Sequence, residues 1–145
     1  MAGLVLLIDD DKLPMQFYVK AMEQKGFEVK QCYEPDSAIA FMEKKASGID
    51  AIILDIMLPP GKRYGKKKDT HEGLITGVFL LEELREEDHY PDTPVIVLTN
   101  VKNPDTLNEF RNKPLVKVAQ KMDYPPFELA ELVEKLVETE TKVDS

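Results

Sequence analysis

The chain has 145 residues, enough for one domain with a substantial core and too few for several. Its 43% hydrophobic and 32% charged residues place it among water-soluble globular proteins, and its net charge of −8 argues against a generic nucleic-acid binder. No apolar run reaches the roughly 20 residues of a membrane span, and Met1-Ala2-Gly3 does not open a signal peptide. The single cysteine, Cys32, excludes an internal disulfide and suits a reducing compartment, so a cytoplasmic protein is expected.

In chain order, Leu4–Ile8 reads as a first strand that runs straight into Asp9-Asp10-Asp11. Pro14 suits a first helical turn, and Phe17, Tyr18, Ala21 and Met22 share one helical face before Gly26 stops the helix. Glu28–Tyr33 reads as strand two. Pro35-Asp36-Ser37 starts a helix with Ala38, Phe41, Met42 and Lys45 at helical spacing, ended by Ser47-Gly48. Ala51–Leu54 is strand three, ending in Asp55. The stretch from Gly61 to Thr76 is basic, with Lys62, Arg63, Lys66, Lys67 and Lys68 against Asp69 and Glu72. Gly77–Arg85 reads as a helix turning Leu80, Leu81 and Leu84 inward. Pro94 precedes strand four, Val95–Leu98, followed by Thr99. Asn103-Pro104-Asp105 starts a short helix through Arg111, and Leu115–Ala119 is a weaker fifth strand leading to Lys121. Pro125-Pro126 opens the last helix, with Leu129, Leu132, Val133 and Leu136 inward and a polar tail, 138–145, expected to fray.

Five strand-then-helix repeats with continuously apolar strands predict an α/β fold, a parallel sheet covered on both faces. Such sheets bind ligands beyond the carboxyl ends of their strands. Asp9, Asp10, Asp55, Thr99 and Lys121 all fall there. A buried strand that ends in a carboxylate is costly unless that group meets a cation or reacts. Pooled carboxylates call for a hard divalent ion, and Mg²⁺ is commonly held by one or two carboxylates with phosphate oxygens. One carboxylate can then act as a nucleophile toward phosphorus, while a hydroxyl and an ammonium receive the phosphoryl oxygens.

The motifs Leu6-Leu7-Ile8-Asp9-Asp10-Asp11, Leu54-Asp55-Ile56-Met57-Leu58-Pro59, Val97-Leu98-Thr99 and Lys121 stand in order at the ends of strands one, three, four and five. In this the chain resembles the CheY-like receiver domain of two-component response regulators, from Leu4 to Val137. The resemblance implies a doubly wound, flavodoxin-like five-stranded sheet of order 2-1-3-4-5. It implies Asp55 as phosphoacceptor, Thr99 as switch hydroxyl and Lys121 as the phosphate-contacting lysine. Asp9, Asp10, Asp55 and the backbone carbonyl of Met57 would hold Mg²⁺, with Asp10 the more direct ligand of the acidic pair. The implied donor is a histidine kinase or a histidine phosphotransfer protein. The implied readout is a downstream protein target or a separate output domain, with no direct binding of nucleic acid or membrane. The surface expected to change is the last strand with the helices on either side of it.

Three departures from the family stand out. The glycine usually found eight residues after the phosphoacceptor matches Gly77, so 61–76 is a basic insertion, expected as a solvated loop beside the site. The family's aromatic three residues before the lysine is Val118 here. The proline that follows the lysine is Met122, which predicts a trans Lys121–Met122 peptide.

Other readings fail on spacing. Gly61-Lys62-Arg63-Tyr64-Gly65-Lys66 is not a P-loop, His71-Glu72 lacks the second histidine of a zinc helix, and strand one is followed by aspartates where a dinucleotide fold wants glycines. His71, His89, Asp11 and Lys12 read as loop residues, with Asp11 an indirect aid to the metal at most. Cys32 and the six methionines read as core. Two alternatives remain: a phosphorylation-independent receiver-like module, and a Mg²⁺-dependent aspartyl phosphatase. The latter class usually carries a general acid two residues after the nucleophile, where this chain has Met57. The expected protein is therefore a signalling phosphoacceptor rather than an enzyme for external substrates.

Overall fold

A computed structural model of the chain describes residues 3–45, 48–65, 76–86 and 90–144, with side chains as far as 138. Its elements are β1 (Leu4–Ile8), α1 (Lys12–Gln24), β2 (Glu28–Cys32), α2 (Pro35–Lys45), β3 (Ile49–Leu54), α3 (Gly61–Tyr64), α4 (Thr76–Leu84), β4 (Val95–Thr99), α5 (Pro104–Arg111), β5 (Val116–Gln120) and α6 (Pro126–Asp144). The five strands form one sheet in the order β2-β1-β3-β4-β5, and every pairing is parallel.

Alternate residues of the central strands enter two cores. Leu6, Ile8, Ile52, Leu54, Val95 and Val97 pack with α2, α4 and α5 on one face. Val5, Leu7, Ile53, Ile96 and Leu98 pack with α1 and α6 on the other. β1 and β4 are buried along their whole length. Buried on both faces, they have no need of polar alternation. The edge strands β2 and β5 do alternate.

Several boundaries differ from expectation, each for a local reason. β3 begins at Ile49 because Asp50 turns its carboxylate to the Leu4 N–H at 2.8 Å, so a polar residue helps to pair the strand. β5 begins one residue late because Leu115 adopts a left-handed φ of 60°, which breaks the extended run. α1 begins at Lys12, and α4 includes Thr76. On α1, Met15, Tyr18 and Met22 are buried, but Phe17 is 65% exposed. α6 continues in helix to Asp144, past the expected end at Val137. The Lys121–Met122 peptide is trans. Among the described residues no helix is long and apolar enough to cross a membrane.

The insertion is not simply a solvated loop. Its first turn, α3, is fastened to the body: Asp36 accepts the N–H groups of Lys62 and Arg63, each at 3.1 Å. Tyr64 is buried against Phe79 and donates its hydroxyl to Glu83 at 2.6 Å, and Arg63 pairs with the same Glu83. Residues 66–75, with Lys66–Lys68, Asp69, His71 and Glu72, lie outside the described residues, as does His89.

Candidate functional site

β1, β3, β4 and β5 end together, and an open cleft of about 540 Å³ lies beyond them. Asp9, Asp10, Asp11, Asp55, Met57, Asn100 and Lys121 line it. Asp9 follows β1 and is 3% exposed, and Asp55 follows β3 and is 7% exposed. Lys121, just beyond β5, places its ammonium between them, with Nζ 3.0 Å from Asp9 Oδ2 and 3.2 Å from Asp55 Oδ2. The other oxygens meet backbone donors. Asp9 Oδ1 accepts the Asp11 N–H at 2.9 Å, and Asp55 Oδ1 accepts the Met57 N–H at 3.3 Å.

One ammonium shared by two buried carboxylates leaves excess negative charge. Burial, and then the charge of Asp55, holds Asp9 above the ordinary carboxylate range, although the Asp11 N–H and Lys121 pull the other way. Asp10, exposed at the rim, is also raised, by burial and then by Asp9. Burial pulls Lys121 down, but the charges of Asp55 and Asp9 and the hydrogen bonds to both outweigh it and hold Lys121 above its usual value. The cleft is therefore short of positive charge and offers hard oxygen donors, the chemistry that suits Mg²⁺. Among the described residues no three acidic, histidine or cysteine side chains converge as a ready-made cation cage.

The backbone at Asp55 and Ile56 is met closely by α4. Gly77 donates its N–H to the Ile56 carbonyl at 2.8 Å. A Cβ there would lie 2.6 Å from the Asp55 carbonyl oxygen and 2.7 Å from Ile56 Cα, so only glycine lets α4 meet the segment that carries Asp55.

Thr99 ends β4 fully buried, with its Oγ1 accepting the Val101 N–H at 3.1 Å rather than opening onto the cleft. The strand ends thus bring Asp9, Asp55 and Lys121 into contact, leave Asp10 and Met57 on the walls, and keep Thr99 behind them. Asp11 and Asn100 also line the cleft. The sequence presents Asp11 as a loop residue and at most an indirect aid to the metal. Asn100 is a lining residue that strand-end carboxylates, hydroxyl and ammonium do not point to, although it stands directly after the strand-end Thr99. Lys12 lies in α1, its ammonium 4.5 Å from the centre of the Tyr33 ring. Cys32 is buried.

The model of the response regulator receiver domain matches residues 5–136. The regulatory protein VanRc of Enterococcus gallinarum is 31% identical over 99 residues, covering 68% of this chain and 35% of that protein, so this chain spans about a third of its length. Among solved structures, a CheY-like receiver domain protein from Methanospirillum hungatei superposes with a TM-score of 0.76 at 19% identity, over 98% of each chain. The chemotaxis response regulator CheY4 of Vibrio cholerae gives 0.72 at 21% identity, over 94% of this chain and 99% of the other. A response regulator from Thermotoga maritima gives 0.71 at 22% identity, over 95% and 99%. These structural likenesses support the fold, and the family match spans nearly the whole sequence: the chain belongs to the response regulator receiver domains of two-component systems.

Proposed function

We propose that this chain accepts a phosphoryl group on Asp55 from a phosphohistidine of a histidine kinase or histidine phosphotransfer protein, and that the modified form changes its protein contacts. The observation that carries this reading is the buried Asp9–Lys121–Asp55 arrangement facing an open cleft. A side-chain oxygen of Asp55 attacks phosphorus. The P–O bond forms as the P–N bond breaks, and the bonding pair leaves with the imidazole nitrogen. Met57 N–H keeps the carboxylate oriented through Oδ1. Lys121, already 3.2 Å from Oδ2, is placed to follow charge onto the phosphoryl oxygens. Thr99 supplies a hydroxyl to the same group. Asp9, Asp10, Asp55 and the Met57 carbonyl would hold Mg²⁺, which when bound supplies the positive charge that carboxylates and phosphoryl oxygens together demand. Met57 has no proton to give a leaving group, which favours a stable acceptor over turnover of external phosphate esters. Its readout would be a downstream protein or an output domain.

The test is intact-mass spectrometry after incubation with Mg²⁺ and acetyl phosphate. One phosphoryl adduct on the wild type, absent from Asp55→Asn, is expected. No adduct, together with no spectral response of the Mg²⁺-loaded protein to beryllofluoride, would replace this reading with a phosphorylation-independent module.

A further inference from the structure

Val118 stands where the family carries the aromatic that moves with its threonine, and a valine has neither ring nor polar atom to pass that movement on. A different connection leaves Thr99 here. Its Oγ1 accepts the N–H of Val101 at 3.1 Å, and the carbonyl of the same Val101 accepts Nε2 of Gln120 at 2.8 Å. Thr99 and Gln120 are register partners across β4 and β5, and the N–H of Lys121 donates to the Thr99 carbonyl at 3.0 Å. Both backbone polar groups of Val101 are therefore held by side chains, one from the end of each strand. The segment from Asn100 to Asn103 has no regular structure of its own and enters α5 through the Asn103 cap, whose Oδ1 accepts the Asp105 N–H at 2.9 Å.

We infer that Gln120 is a positioning residue that couples the state of Asp55 to the Asn100–Asn103 segment by holding Val101 in the resting arrangement. This rests on the phosphoacceptor reading, in which the Thr99 hydroxyl moves to a phosphoryl oxygen. That movement draws Oγ1 away from the Val101 N–H and lets the segment shift, so that the Val101 carbonyl also leaves the Gln120 amide and the Gln120 bond belongs to the resting arrangement alone. A group that stabilises only the resting arrangement opposes binding at Asp55 by its own worth. Removing its donor shifts the balance toward the bound form by about fivefold, the equivalent of about 1 kcal/mol for one net hydrogen bond. Gln120 is not among the residues that line the cleft, so it acts through Val101 and Thr99 rather than on the ligand.

The probe is beryllofluoride with Mg²⁺, titrated into the full chain and followed by amide NMR. Gln120→Leu should bind about fivefold more tightly than wild type, and its Val101 amide should exchange faster before any ligand is added. In a Thr99→Val background the same substitution should leave affinity unchanged, because the hydroxyl that transmits the effect is gone. A purely structural role would lower the melting temperature of Gln120→Leu without changing its affinity. Unchanged affinity, unchanged Val101 exchange, or an equal gain in both backgrounds overturns the inference. If the wild type itself binds no beryllofluoride, the phosphoacceptor reading falls, and this inference with it.

Discussion

At the scale of single residues, the acidic rim costs the metal-free protein stability. Asp9 and Asp10 are both raised above their unfolded value of 3.8. The stability linked to them is fully present below that value and is lost as pH rises through their folded values. Mg²⁺ should restore it only where they are ionised. Differential scanning fluorimetry at a hundredfold excess over Kd should give a rise of roughly 5–10 °C at pH 7.5 and little at pH 4. Asp10→Asn removes a like charge from the rim. Its metal-free melting temperature should rise by about 2–4 °C while its response to Mg²⁺ shrinks, and a fall in both would contradict the charge argument. Asp9, Asp10, Asp55 and Lys121 were legible because each stands where an apolar strand stops. The Gln120–Val101 bond was not, since it depends on Thr99 facing Gln120, a register that no single-chain pattern displays.

At the scale of elements, the strands were readable to within a residue or two because continuous apolar runs have few other uses in a chain of this size. The misses came from long-range partners. Asp50 extends β3 by bonding Leu4, 46 residues away, and Asp36 caps α3 from 26 residues away. The inserted sequence looked like a solvated basic loop, yet Tyr64 joins the core and Glu83 receives both Arg63 and Tyr64. Two joints between elements carry predictions. Gly77→Ala forces a methyl group against backbone atoms of Asp55 and Ile56. It should cost about 1–3 kcal/mol in urea denaturation and slow adduct formation at Asp55, whereas a neutral effect would deny the close approach. Arg85, at the end of α4, donates to the carbonyls of Tyr90, Pro91, Thr93, Pro114 and Leu115. It thereby ties together the segments entering β4 and β5. Arg85→Met should lower stability by about 2–3 kcal/mol, read from the urea midpoint, with wild-type phosphoryl uptake in the folded fraction.

For the molecule as a whole, Cys32 offers a probe of global opening. It lies buried at the end of β2, and burial, first among its causes, raises its thiol pKa. The folded form should therefore resist a thiol reagent at pH 8, with labelling governed by the population of the opened state. Adding urea below the transition should accelerate labelling in step with the loss of folding free energy. Fast labelling in plain buffer would mean that β2 opens locally. The carboxyl ends of the strands hold the acidic cleft, while the Arg85 clamp grips the segments that enter the amino ends of β4 and β5. A scan of all substitutions, scored once for cellular abundance and once for signalling, should separate along the strand axis. Lesions near Arg85 would empty the cell of protein, whereas lesions near Lys121 would leave an abundant protein that receives no message.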